Sequence, residues 1–576
     1  LNSNFAESIF RLYQYTNLCL HNVISGAYLY RIINANVMCG ILAVIGKRLS
    51  EEKIGGLSKR MSHRGPDESD VHVTEEGYVL SHERLSIVDL ETGKQPIQGT
   101  SNAWMIHNGE IYNHQALRNN ELKQHTFRTT GDSEVIVHLY EEFGVDFLNK
   151  LDGVFSFVVV DGKDFIAARD PIGVKPLYYG TDDEGSIWFA SEMKTLVEQC
   201  SSFAAFPPGH YYTPETGFVE YYTPDWFDYK KATKELDLSK IRESLIEATR
   251  KRLMADVPLG VLLSGGLDSS LTSSIAARLM KDSGQKLHSF SIGLDETAPD
   301  LVAARKVAEF LGTEHSEFHF TVEEGIDILK KLVWHLETYD VTSIRASTPM
   351  YFLSKRIKEK GVKVVLSGEG ADEIFGGYLY FKNAPTADDF QKETIRRVQR
   401  LATADCLRAD KSTMAHGLEA RVPFLDKAFL KTAMETEAVH KLPKTYDGVE
   451  KYILRKAFDT PEQPFLPDEV LWRQKEQFSD GVGYSWIDEL IAYASARVSD
   501  EQMAAASEKY PYNTPATKEA YFYREIFHSH FPQENAAKTV KRWIPKWQED
   551  LDPSGRANTS HVATNAKKQL EELAQV

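Results

Sequence analysis

"VLLSGGLDSS" (Val261–Ser270) decides how the second half of this chain is built. An apolar run ends in Ser264-Gly265-Gly266, and Leu271, Ile275 and Leu279 then recur at the spacing of one helix face. Strand, glycine turn and helix in that order aim successive N–H groups at one point beside a helix N-terminus. That point is a ready seat for a phosphate. The Gly-Lys-Ser/Thr ending of a Walker loop is missing, so transfer of a γ-phosphate is not predicted. Asp268 suits such a loop when a divalent cation bridges its carboxylate to phosphate. For Ser-Gly-Gly alone, a plain turn at a strand end is the competing reading.

The same alternation continues on both sides. "SKIRESLIEATRKRLM" has helical spacing, "LHSFSIG" precedes the helical "DLVAARKVAEFLG", and "VKVVLSGEG" leads into "ADEIFGG". This order predicts a parallel sheet covered on both faces, an α/β domain over residues 236–550. Its second strand-end loop carries Ser367 and Gly368, then Glu369, Asp372 and Glu373. Loops of this kind gather at the carboxyl edge of a parallel sheet. Their acids hold Mg²⁺ between phosphates or take a proton from an incoming amine, unless they merely favour a helix start.

Residues 39–222 have a different texture. "GILAVIG", "GYVLSHERLSIV", "AWMIHNGEIYN", "VFSFVVVDG", "DFIAARD" and "SIWFAS" read as strands, interrupted by one clear helix, "SEVIVHLYEEFG". Asp132 or Ser133 is the expected cap of that helix. Many strands with few helices predict an α+β domain of layered antiparallel sheets. The segment 213–237 is the expected connection, 551–576 a loose polar tail, and 1–38 a leader ending in Met38. The leader reads as an upstream extension with Met38 as the true start, or as a weak organelle presequence.

Composition narrows the function. A formal net charge of −16 disfavours a nucleic-acid partner, whose phosphates need clustered Lys and Arg. Four cysteines in 576 residues form no disulfide framework and no paired metal spacing, which points to a reducing, cytoplasmic setting. No apolar run reaches the ~18 residues that cross a bilayer, so no membrane role is expected.

"MCGILAVIG" places Cys39 directly after a methionine. Inside a chain it is a small apolar residue of a strand; at a mature N-terminus it is a nucleophile with an α-amine beside it as base. Other motifs fit the second reading. Arg84 in "HERLSIVD" suits a carboxylate, Asn108 and Gly109 in "HNGEIYN" suit an oxyanion, and Glu110 and Asp132 suit an ammonium group. Together they describe a pocket for glutamine.

"MCGI", "SHRGPD", "HERLSIVD", "NGEIYN" and "TTGDSE" resemble the N-terminal-nucleophile glutamine amidotransferases. "VPLGVLLSGGLDSS", "TSIRASTPMY", "LSGEGADEIFGGYLY", "GLEARVPFLD" and "RQKEQFSDGVGYSWID" resemble the ATP-pyrophosphatase half of the glutamine-hydrolysing asparagine synthetase family. The resemblance runs from Met38 to about Gly555. It implies that Met38 is removed and that Cys39 forms a glutamyl thioester, with Asn108 and Gly109 holding the oxyanion. Glutamine contacts would come from Arg84, Leu85, Ser86, Ile87, Val88, Asn108, Gly109, Glu110 and Asp132. Ammonia would cross an internal tunnel to β-aspartyl-AMP made from aspartate and ATP. Leu262, Ser264, Gly265, Gly266, Asp268, Ser269, Ile292, Ser367, Gly368 and Lys475 would bind ATP. Asp268 and Asp372 would hold Mg²⁺, and Glu369 would assist adenylation and deprotonate ammonia. A homodimer is also implied.

Rival readings are a tRNA-modifying thiolase, which would need a basic surface and usually extra cysteines, a β-lactam-forming relative, which would lack a working cysteine, and a non-catalytic storage protein. His315 and His319 in "EHSEFHF" are four apart, but the alternation there reads as a strand, so no zinc pair is expected.

Overall fold

The computed structural model describes residues 39–548 apart from 66, 282, 283, 285, 476, 477 and 484. The expected leader and tail lie outside the described residues.

In chain order the first half contributes β1 (Gly40–Ile45), β2 (Glu68–Val73), β3 (Val79–Arg84), β4 (Ile97–Gln98), β5 (Trp104–Ile111) and β6 (Gly153–Asp161). There follow β7 (Asp164–Arg169), β8 (Tyr178–Thr181), β9 (Ile187–Ala190), β10 (Ser202–Ala205), β11 (His210–Thr213) and β12 (Gly217–Glu220). They form two antiparallel six-stranded sheets, ordered β10-β8-β9-β1-β3-β2 and β12-β11-β7-β6-β5-β4.

Period-two alternation makes the layers. Ile41, Ala43 and Ile45 of β1 pack between the sheets against Ile106, Val158 and Val160, whereas Leu42 and Val44 face the opposite side, in the core cluster that holds Met61 and Trp188. Phe155, Phe157 and Val159 of β6 face the other way, against Ile136 and Leu139 of the helix Val135–Phe143. This is the layered α+β arrangement the alternation predicts. The expected cap of that helix needs correction. Its N-cap is Glu134, and no side chain caps it. Asp132 Oδ2 instead accepts from Ile111 N at 2.6 Å, and Ser133 Oγ meets His107 Nδ1 at 2.9 Å. Both side chains are drawn toward β5.

The segment 213–237 carries β12, and Trp226 is buried within it. The second half then builds a parallel sheet from β13 (Leu259–Leu262), β14 (His288–Gly293), β15 (Glu314–His319), β16 (Val364–Leu366) and β17 (Glu419–Arg421). Its order is β15-β14-β13-β16-β17. The chain leaves β13 for β14 and β15 on one side, then returns to β16 on the other. The crevice beyond β13 and β16 is therefore a topological switch point, where open α/β sheets bind ligands. His315 and His319 lie on β15 as expected, and both ring nitrogens of His315 meet serine hydroxyls.

Buried charge joins the halves. Arg64 has no exposed surface; its guanidinium lies 3.1 Å from Glu192 and 2.8 Å from Asp410 of the helix Asp405–Met414. Removing one partner of a buried ion pair strands the others. Arg64→Ala should therefore cost about 3–5 kcal/mol, read as a fall in the urea midpoint followed by tryptophan fluorescence. An unchanged midpoint would show that the two carboxylates find other partners.

Candidate functional site

Two cavities collect the residues singled out from sequence. Pairing of Gly40 with Glu83 lays Cys39 beside the end of β3. Leu85 N–H donates to Cys39 Sγ at 3.4 Å. Arg84, Leu85, Ile87, Val88, Asn108, Gly109, Glu110 and Asp132 line the same cavity of about 40 Å³ as Cys39. Ser86 does not line it; its N–H is turned to Asp67 Oδ2 at 3.1 Å. Burial pushes the Cys39 thiol up to about 12, so the sulfur needs a proton acceptor before it can attack anything.

The unpaired polar atoms of this cavity point to a ligand. Asn108 Nδ2 and Glu110 Oε2 are buried without a hydrogen-bond partner. Such atoms cost free energy unless something fills them. Gly109 holds φ at 144°, and a Cβ there would meet Val154 O at 2.0 Å, so only glycine lets this backbone lie against β6. Glu110 Oε1 sits 2.8 Å from Arg421, yet burial and the nearby Asp132 and Glu419 keep its pKa well above the usual carboxylate range. Burial also pushes Asp132 up to about 6. Arg84 is partly committed already, to Glu68 at 2.7 Å and to Asp89 O at 2.5 Å.

Two residues of this site escaped the sequence reading. Asp89, at φ 55°, accepts from Thr130 N at 2.7 Å and Gly131 N at 3.0 Å, tying the "TTGDSE" loop to "HERLSIVD". Although buried, it is held down at about 2 by these donors and Thr92. Its place at the end of a quoted motif was the available signal. Glu419 reaches the cavity from β17, in the other half, held by Lys175 at 2.9 Å and Arg421 at 2.5 Å. Its place in the quoted motif "GLEARVPFLD" was the available signal.

The second cavity, of about 160 Å³, lies at the switch point. Leu262, Ser264, Gly266, Asp268, Ser269, Ile292, Ser367, Gly368, Glu369, Asp372 and Lys475 line it. Gly265 does not; at φ 73° it turns against Ala303 and Ala304. The loop ends at Gly266, the N-cap of the helix Leu267–Met280. Lys475 Nζ lies 2.7 Å from Asp372, and these carboxylates raise its pKa against the effect of burial. Lys451 was missed: its Nζ bridges Asp268 at 2.5 Å and Asp372 at 2.6 Å. Despite burial, the two lysines hold Asp372 at about 2. Burial raises Glu369 to about 6, although Arg408 sits 2.8 Å away.

One helix spans from cavity to cavity. Asp410 of the helix Asp405–Met414 binds Arg64, whose Nε donates to Cys39 O at 3.2 Å. Two residues earlier on the same helix, a single nitrogen of Arg408 bridges Glu369 and Asp405, each at 2.8 Å.

Comparison with known proteins agrees with this two-site plan. A family model described as a glutamine amidotransferase domain matches residues 38–210, and one described as asparagine synthase matches 240–388 and 382–554. The asparagine synthetase [glutamine-hydrolyzing] of Zea mays is 50% identical over 552 residues, covering 91% of this chain and 94% of its own. Asparagine synthetase [glutamine-hydrolyzing] 1 of Arabidopsis thaliana is 51% identical over 548 residues, covering 90% and 93%. The probable asparagine synthetase of Dictyostelium discoideum is 52% identical over 557 residues, covering 92% and 100%. With both halves matched and half of all aligned residues shared, this chain belongs to the family of glutamine-hydrolysing asparagine synthetases.

Proposed function

We propose that the protein makes L-asparagine from L-aspartate, L-glutamine and ATP, releasing glutamate, AMP and pyrophosphate. The observation that supports this most is the helix Asp405–Met414, which ties the residues around a buried cysteine to those around a phosphate loop.

In the first cavity Cys39 attacks the glutamine side-chain carbonyl and a glutamyl thioester forms. The silenced thiol gains its base when Cys39 becomes the first residue, because a free α-amine titrates near ~8, close to neutrality. Asn108 Nδ2 and the Gly109 N–H take the oxyanion; the first of these is the orphaned donor. Asp132 and the unpaired Glu110 Oε2 receive the substrate ammonium, and Arg84 the carboxylate. Leu85, Ile87 and Val88 wall the site, and Ser86 acts through the loop.

In the second cavity the Ser264–Ser269 loop and Lys475 receive the phosphates of ATP, beside Leu262, Ile292, Ser367 and Gly368. Asp268 Oδ1 is buried without a partner and Asp372 faces the same space, a set of carboxylate oxygens that fits Mg²⁺. Asp268 and Asp372 would hold that ion, which when bound would offset charge on the phosphates. Glu369, poised near 6, takes the proton of ammonia as it attacks β-aspartyl-AMP. Ammonia reaches it inside the protein along the helix Asp405–Met414, which keeps it from protonation in bulk water. The unpaired thiols of Cys39, Cys200 and Cys406 support a reducing, cytoplasmic setting. Homodimerisation completes the reading by family likeness.

Four outcomes are expected. Pyrophosphate release should require aspartate and proceed with either glutamine or ammonium. Cys39→Ala should abolish the glutamine-supported reaction and spare the ammonium-supported one; loss of neither would end the reading. A Cβ at Gly368 would sit 2.8 Å from Asp268 Cβ and from Ser269 N, so Gly368→Ala should stop pyrophosphate release while glutamine hydrolysis persists. Asp132 binds an ammonium only when ionised, and its pKa is raised to about 6. Below that pH the kcat/KM for glutamine should thus fall by about a further tenfold per unit, beyond the fall that protonation of the Cys39 α-amine already causes, and Asp132→Asn should be low throughout and lack this added fall.

A further inference from the structure

We propose a structural metal site for one divalent transition ion, with zinc as its best occupant, held by His125, His138 and Glu141 on the outer side of the helix Val135–Phe143. One ligand atom from each of the three lies within 4.8 Å of the others. His138 and Glu141 are three apart on one helix face, and His125 arrives from the turn after the helix His114–Asn119. The rings of His125 and His138 lie 4.6 Å apart. Both Nδ1 atoms face the same space, since each is 3.4 Å from Thr100 Oγ1, and His138 Nδ1 is 3.0 Å from Glu141 Oε2.

The outer atoms distinguish this group from a chance cluster. His125 Nε2 meets Glu142 at 2.9 Å, and His138 Nε2 lies 3.4 Å from Glu134. At His125 the Glu142 carboxylate keeps the proton on the far nitrogen and leaves the near lone pair for a metal, the arrangement that accompanies ligating histidines, whereas Glu134 lies beside His138 Nε2 without a hydrogen bond. Glu134 is itself fixed by the N–H groups of Arg128 and Thr129, and Glu141 by Ser101 N at 2.7 Å and Ser101 Oγ at 2.8 Å. Three carboxylates surround two imidazoles, and among the described residues no Lys or Arg forms an ion pair with them. Two imidazoles, one carboxylate and a hydroxyl or water make a zinc-type donor set.

An ion here would staple the β4–β5 loop, the turn at His125 and the helix into one piece. That helix begins two residues after Ser133 and three after Asp132, both of which line the Cys39 cavity. The site thus stiffens the wall of the cavity without touching its contents.

The test uses the full-length protein, stripped with a chelator and titrated with Zn²⁺ alone by calorimetry. One equivalent should bind, His125→Ala should lose it, and Glu142→Gln should weaken it by about 10–100-fold. Cobalt should give the visible bands of a four-coordinate site in the wild type and not in His125→Ala. Zinc uptake no greater in the wild type than in His125→Ala would overturn the proposal. Should His125→Ala fail to fold, the half-exposed Glu142→Gln decides, and unchanged affinity there would overturn it equally.

Discussion

Arg64 is the joint on which the two halves turn. It holds the carbonyl of Cys39, Glu192 of its own half and Asp410 of the other, with no surface in water. A buried guanidinium is tolerated only with its donors filled, so the start of β1 and the helix Asp405–Met414 cannot drift apart independently. Other crossings reinforce this. Arg421 reaches Glu110, Lys175 reaches Glu419, and Asp256 takes the N–H of Asp89 at 2.8 Å. The loop that shapes the Cys39 cavity is thus positioned partly by the half that carries the phosphate loop.

The two cavities solve opposite electrostatic problems. Around Cys39, burial dominates: the thiol, Glu110 and Asp132 are all displaced toward their neutral forms. That state favours a substrate bringing its own charges. At the switch point, Lys451 and Lys475 keep Asp372 ionised, while Glu369, two strand-end residues beyond Ser367, is left near neutrality. Two carboxylates in one loop are thereby displaced in opposite directions, Asp372 toward its ionised form and Glu369 toward its protonated one.

Much of this was legible in the sequence wherever side-chain period and backbone geometry coincide. β1, β5, β6 and the helix Val135–Phe143 followed from alternation and spacing, as did β13, β14 and β16 with their loops. Short strands at or next to a sheet edge, β8, β10 and β12, were not legible, because four residues carry too little period and depend on a neighbour for pairing. Lys451 and Arg408 were invisible for another reason: each is an ordinary charged residue whose role arises from a partner far along the chain. The expected cap at Asp132 or Ser133 failed because β5 outcompetes the helix for both side chains. His125 and His138 are thirteen residues apart and meet only after the helix folds back.

The central claim is that nitrogen released beside Cys39 travels inside the protein to the adenylated acid. Amide-¹⁵N glutamine supplied together with excess unlabelled ammonium tests it most directly, by mass spectrometry of the asparagine formed in early turnover. Internal transfer predicts asparagine enriched in ¹⁵N far above the share of label in free ammonia. Asparagine carrying only the isotopic ratio of the bulk pool would contradict it.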